Sequence, residues 1–344
     1  MNMKPLLLLI LCIISLKSTE SFQPLSRARV VLNHQVSNAE RAPFQREIHR
    51  EATSLEVAED ENSKKAKMTQ AYNVCTYILG GTSAIILFMT DKTNNRLLAK
   101  KVAGAVGFGL ASAVSNILAG ANDHDRLGSD TYKRLNLGLL GFATLGLFAL
   151  PGEAAFLPNF GSFTVLVTAI ALVKALVGIV AFEGWKRGVG LETSLIKEMF
   201  EGTKSTLAGL WFTKKRGAAY RNPLVLVIAG LISSFFEGFF FLTNNMPKLE
   251  TSLWWSAVSR LFLITTMMYS LKDAAERDRL AGTTFIQMNF MIFVWLFTVG
   301  IAQGLSVGEP FMLNKASLLP FSVPFLIETG RYQNEKKTQD KSPK

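Results

Sequence analysis

The stretch VAGAVGFGLASAVSNILAG (residues 102–120) carries no charge and opens straight into ANDHDRLGSDTYKR (121–134), a polar loop containing Asp123, Asp125 and Asp130. An uncharged run of this length, wound at ~1.5 Å per residue, matches the ~30 Å hydrocarbon core of a bilayer. Ala103, Gly107 and Ala111 recur four residues apart, as do Ala105, Gly109 and Ala113. Such small-residue stripes let neighbouring helices approach closely. Ser112, Asn116 and Asp123 fall roughly on one helical face, which would give an acidic site a polar floor.

Seven further apolar runs flank this one, at 71–90, 135–150, 163–182, 224–242, 253–271, 285–303 and 311–327. The 135–150 run is short and stops at Pro151, and the last is interrupted by Lys315, Pro320 and Pro324. The pattern predicts an all-α, polytopic helical membrane protein of about eight spans over 71–327. Only 18% of the residues are charged, against ~25% in soluble domains. With eight spans, Lys and Arg number 22 on one face and 6 on the other, so the positive-inside rule puts both mature termini on the basic face. The net charge of +11 is then a property of loops facing one side, and the expected partner is a lipid bilayer, with room for other membrane proteins and none for nucleic acid. Within the long connection 183–223, SLIKEMFEGTKSTLAGLWF reads as an interfacial amphipathic helix on that face. The tail 328–344 is basic and polar, as in a disordered end.

Residues 1–20 read as a signal peptide: Lys4 precedes the apolar run 6–16, which is too short to span. Residues 21–62 are a transit-type segment and polar linker, rich in arginine and poor in acid up to Arg50. A signal followed at once by Phe22, Pro24 and a basic stretch resembles the bipartite leaders of complex-plastid, diatom-type algae. Glu20-Ser21 departs from the small residues usual at that cleavage site. The resemblance implies a plastid membrane, thylakoid or inner envelope, with the basic face toward the stroma.

Cysteine and histidine are scarce. Beyond the leader only Cys75 and His124 remain, which excludes disulfides within the mature chain and metal centres built from Cys or His clusters. Three ionisable residues fall inside spans: Lys174, Glu237 and Arg260. Each costs ~2.5–3.5 kcal/mol at the bilayer centre, so each needs water or a partner. Helix rise places Glu237 and Arg260 at similar depth on consecutive spans, predicting an ion pair between them. Lys174 is expected to snorkel toward the basic face, with Gln287 or Asn289 as the other choice. Spans two to four and five to seven share a span, a polar loop and an Arg-Leu (Arg134-Leu135, Arg260-Leu261), a pattern that would give inverted three-span halves.

The loops after the second and sixth runs both cluster carboxylates with cations: Asp123, Asp125, Asp130, Arg126, Lys133 and Arg134 in one, Lys272, Asp273, Glu276, Asp278 and Arg279 in the other. Oxygen ligands beside cations are what Mg²⁺–diphosphate chemistry requires. The arrangement resembles the UbiA-type prenyltransferases, whose two aspartate motifs follow the second and sixth helices. Asn122, Asp123 and Asp130 match the ends of the first motif, and Lys272, Asp273 and the run from Asp278 to Gly282 match the second. Asp125 stands one position early, and Glu276 replaces an aspartate. That resemblance implies a Mg-dependent prenyltransferase acting on a diphosphate at the stromal face, with the six carboxylates as metal ligands and Arg126, Lys133, Arg134, Lys272 and Arg279 on the phosphates. The residues themselves favour a transporter or a membrane-embedded structural protein that needs no cofactor. The enzyme reading requires Asp123, Asp130, Asp273 and Asp278 to converge on one cavity at the basic face, and a transporter predicts a midplane cavity lined by Lys174, Glu237 or Arg260.

Overall fold

The computed structural model describes residues 41–88, 95–157, 161–189, 218–243 and 248–304, with isolated helical positions at 197, 201 and 204. Two compact units are present, 1–58 and 59–344. In the first only helical backbone from Arg41 onward is described, and the helix bundle belongs to the second. In chain order the elements are α1 (Arg41–Phe88), α2 (Asn95–Asp123), α3 (Asp130–Leu145), a 3₁₀ turn (Gly146–Ala149), α4 (Leu150–Ala154), α5 (Phe163–Val189), α6 (Ala218–Thr243), α7 (Lys248–Glu276) and α8 (Thr283–Gly304). The described chain is all-helical. Five stretches are long and apolar enough to cross a membrane: Asp60–Phe88, Lys101–Asp123, Asp130–Ala154, Phe163–Val189 and Ala219–Phe240.

The expectation of eight spans is met only in part. Helices α7 and α8 occupy the sixth and seventh positions. Helix α8 runs the 22 residues Thr283–Gly304, with an apolar stretch over Thr283–Thr298 among the residues described in full, and α7 does not reach the same apolarity. The reason for α7 is its place: it packs against α2, α3, α4, α6 and α8. It therefore carries inward polar side chains that bond its own turns, such as Thr265 to the Leu261 carbonyl at 2.7 Å and Ser270 to Thr266 at 2.8 Å. The run 311–327 and nearly all of the amphipathic stretch lie outside the described residues. The third span is longer than the sequence suggests. Pro151 sits in the first turn of α4, where its missing N–H costs nothing, so helical chain continues past it to Ala154.

Two hairpins repeat. Asp125-Arg126-Leu127 on the α2–α3 loop corresponds to Asp278-Arg279-Leu280 on the α7–α8 loop, and Thr131-Tyr132 to Thr284-Phe285, all at one constant offset. The backbone repeats with the sequence. Arg126 N–H donates to the Ala121 carbonyl at 2.8 Å, and Arg279 N–H to Ala274 at 2.9 Å. Asp125 N–H donates to Asn122 and Asp278 N–H to Ala275. Both aspartates are left-handed, φ 53° and 57°. These are two Schellman helix ends with aspartate where glycine is usual. Leu127 and Leu280 are then buried, and Ser129 and Gly282, favoured helix-starting types, receive the first N–H groups of α3 and α8. Helix α3 packs on α7 as α8 packs on α2, so the equivalence maps one interface onto the other. Because the two loops meet at one end, the halves run in the same sense, and the expected inverted pairing of spans two to four with five to seven is replaced by this one.

Helices α1 and α2 are zipped antiparallel by hydroxyls reaching the partner's carbonyls: Ser83 to Ala105 at 2.6 Å, Ser112 to Thr76 at 2.7 Å and Ser115 to Tyr72 at 2.8 Å. The two small-residue stripes of α2 serve different neighbours. Gly109 faces Ser83 on α1, while Gly107 faces the Arg260 stem on α7. Ser112 is thus spent on helix packing and Asn116 is exposed, so neither floors an acidic site. On α3, a Cβ at Gly141 would overlap the Phe262 ring of α7, whereas one at Gly230 on α6 meets nothing. Gly141→Ala is therefore expected to destabilise by about 1–3 kcal/mol, and Gly230→Ala to be neutral or stabilising by up to about 1 kcal/mol. Thermal unfolding in detergent checks both, and equal shifts would refute this interface.

Candidate functional site

The ionisable residues that the sequence places inside spans form a different constellation from the one expected. Lys174 on α5 does not snorkel. It is buried at 1% exposure, with Nζ 3.3 Å from Oε1 of Glu153 on α4. The Ser256 hydroxyl on α7 donates to the same oxygen at 3.2 Å and receives Nη1 of Arg260 at 3.0 Å. One carboxylate thus holds two cations, one directly and one through a serine. Asn289 is engaged elsewhere, accepting from Tyr220 at 3.0 Å.

Each side chain is placed by a local feature of its helix. Glu153 is carried inward because the chain tightens to 3₁₀ geometry at Gly146–Ala149 and then continues helical through Pro151. A Cβ at Gly146 would lie 2.5 Å from Lys174 Nζ, so that glycine is what lets the lysine cross the end of α3. The ammonium rests 3.6 Å above the Phe142 ring centroid and 4.7 Å from that of Phe108, and the two rings meet edge-to-face at 5.6 Å. Aromatic faces replace part of the hydration that burial removes. Arg260 is partly buried and lies along α2, where Cβ atoms at Gly104 and Gly107 would meet its side chain. Along α5, Lys174 is roughly 21 Å from Gly188, whose position abuts Leu127 of the acidic loop, at 1.5 Å per residue. The centre is therefore deep in the bundle, at the interface of the two repeated hairpins.

Glu237 is not Arg260's partner. It is partly exposed on α6, accepts from Ser233 at 3.1 Å and lies among Phe236, Phe239 and Phe240. The acid that does serve Arg260 is Glu153, which a span ending at Pro151 would leave outside the membrane. The signal available in the sequence is a single acid in the otherwise apolar LGLFALPGEAAFL.

The two acidic loops do meet. Arg134 reaches Asp273 at 3.1 Å, and Arg277 approaches Asp273 at 3.2 Å and Asp130 at 3.9 Å. Tyr132 and Thr284 share a hydrogen bond at 3.2 Å, and the Arg134 guanidinium stands 4.5 Å over Tyr269. The pairs are reciprocal, each hairpin giving an arginine to the other's aspartate. The remaining carboxylates turn elsewhere: Asp123 receives Thr69 and Asp125 receives Lys65, both of α1 and both at 2.5 Å, while Glu276 pairs with buried Lys272 at 2.8 Å. Arg126 and Arg279 are exposed. Among the described residues no group of three acidic, His or Cys side chains could hold a metal ion. Carboxylates joined through arginines do not fit the oxygen cage of Mg²⁺.

Two outcomes are expected. Arg134→Gln and Asp273→Asn, combined in a double-mutant cycle of unfolding free energies, show coupling of about 0.5–3 kcal/mol; coupling within error of zero means that the loops merely touch. Glu153→Gln leaves two cations unopposed and costs roughly 3–5 kcal/mol, as for a broken buried pair. Lys174→Met leaves Glu153 balanced by Arg260 and costs less. The reverse order in thermal denaturation removes the charge assignment.

No family model, curated protein or solved structure matches the chain, so the chemistry of this centre rests on its own geometry.

Proposed function

We propose that the chain is a multi-pass membrane carrier whose substrate centre is the Lys174–Glu153–Arg260 constellation. One observation carries the reading: three ionisable side chains are gathered deep in the bundle, at the interface of two repeated hairpins. Ionisable groups at membrane depth mark substrate and ion pathways, and carriers built from repeats hold their sites where the repeats meet. A purely structural centre would be expected to close its charges, and here two cations face one carboxylate. The ion pairs between the two loops would act as a strut across the basic end. The N-terminal leader supports a plastid membrane as the location, with the basic, stromal face carrying those loops.

The test is flux. In proteoliposomes of the full chain, a panel of small anions and cations is expected to include at least one solute with protein-dependent uptake. Lys174→Met is expected to slow that uptake about tenfold or more, the equivalent of one lost charge-assisted contact. Unchanged uptake in the variant, or none for any solute, sinks the carrier reading and leaves the scaffold. For location, residues 1–50 fused to a fluorescent reporter in a diatom are expected to deliver it to the plastid, with Phe22→Ala diverting it. Reporter found in the secretory route in both cases rejects the plastid.

A further inference from the structure

We infer that the Lys174–Glu153–Arg260 centre binds a small monoanion that also carries an O–H donor, hydrogencarbonate being the simplest member of that class. The inference takes from the carrier reading only the use such a site would have.

Charge is the first observation. Lys174 and Glu153 side chains are 0% and 2% exposed, Arg260 lies on the same serine, and the three sum to one positive charge. A buried unopposed charge is costly. A monoanion closes the sum, a dianion overshoots it and a cation enlarges it.

Hydrogen bonding is the second, independent observation. Lys174 Nζ is a buried donor lacking an acceptor in hydrogen-bond geometry, and Glu153 Oε2 is a buried acceptor lacking a donor. Buried polar atoms of this kind are rare in native proteins and call for a partner. The other Glu153 oxygen already accepts from Ser256 and stands 3.3 Å from the ammonium outside hydrogen-bond geometry, so Oε2 is the one still free to accept. Chloride, nitrate or acetate would answer Nζ and leave Oε2 unmet, with a second negative charge beside it. Water would answer both atoms but not the charge. A protonated oxyanion answers all three: its oxygens face the ammonium and the guanidinium, whose planar fork suits such groups, and its hydroxyl donates to Oε2. Gly104 and Gly107 on α2 and Gly146 at the end of α3 leave room for the two cationic side chains against the first hairpin, and their charged ends converge on Glu153, one directly and one through Ser256.

The experiment is calorimetric titration of the full chain in lipid nanodiscs at mildly alkaline pH, with sodium hydrogencarbonate, nitrate, acetate and chloride in turn. Hydrogencarbonate is expected to bind at least about tenfold tighter than nitrate or acetate, because those leave a buried acceptor unsatisfied, and to raise the melting temperature where they do not. Lys174→Met abolishes the binding, and Glu153→Gln removes the preference over nitrate. If Lys174→Met does not fold, Arg260→Gln is read by the same two measurements. Equal affinity for nitrate, binding indifferent to these substitutions, or no anion binding at all overturns the inference, the last meaning that Lys174 is buried as the neutral amine. Binding without flux would keep this site and remove the carrier; flux of another solute without anion binding would do the opposite.

Discussion

Burying the Lys174 ammonium is the constraint to which the rest of the bundle answers. Removing a lysine head from water is tolerated only with an opposite charge and close contacts, and the fold supplies both from four other helices. Helix α3 offers Phe142 and ends on Gly146, where no side chain blocks the lysine. Helix α2 offers Phe108. The α3–α4 junction tightens so that Glu153 points inward, and α7 brings Ser256 to share the carboxylate. None of these features has an obvious purpose taken singly. The 3₁₀ segment in particular would be an interruption in a span if it did not re-aim the helix carrying the acid.

The repeated hairpins explain why such a centre lies where it does. Matching Asp125-Arg126-Leu127 with Asp278-Arg279-Leu280 makes α2 and α7 equivalent, and those two helices supply Gly107 and Arg260, which lie against each other. The halves differ where they touch. His124 corresponds to Arg277 and Asp130 to Thr283, so the ion pairs across the loops are not copies of one another. What is kept is the turn itself: the left-handed aspartate, the buried leucine and the helix start. Non-glycine residues in that conformation are few, and aspartate is among those that tolerate it through local hydrogen bonding. Retaining it in both loops keeps the angle at which each second helix leaves.

Much of this is legible in the sequence, and the misses have definite causes. Apolar run length locates a segment of each long helix described, but not the polar start of α1 from Arg41, where charge rather than apolarity marks the sequence. The small residues of α2 are packing surfaces, as their spacing implies. Partners are harder. Pairing Glu237 with Arg260 counts axial depth from the sequence alone: in the structure the chain around Glu237 lies against Trp255, and Glu237 faces out among phenylalanines while Arg260 faces α2. Snorkelling of Lys174 assumes an outward face that α5 does not give it. Comparing spans two to four with five to seven misses the repeat, because the loops alone preserve it, through three consecutive identities that hydropathy does not register.

The acidic loops show how far a motif and its chemistry can separate. Their carboxylate content suggests a metal, and their proximity meets the geometric condition for it. In the structure Asp273, Asp125, Asp123 and Glu276 each face a cation or a hydroxyl. Asp273 lies between two arginines, Asp125 and Asp123 look toward α1, and Glu276 lies over Lys272. Ion pairs of this kind, a fifth or less exposed on the Arg134–Asp273 side, are screened less than surface pairs and hold two hairpins in register. Opening them would free the loop ends of both repeats together, because Arg277 bridges Asp130 of one hairpin and Asp273 of its own. The loops are thus joined, through α3 and α7, to the side chains Phe142 and Arg260 of the buried centre.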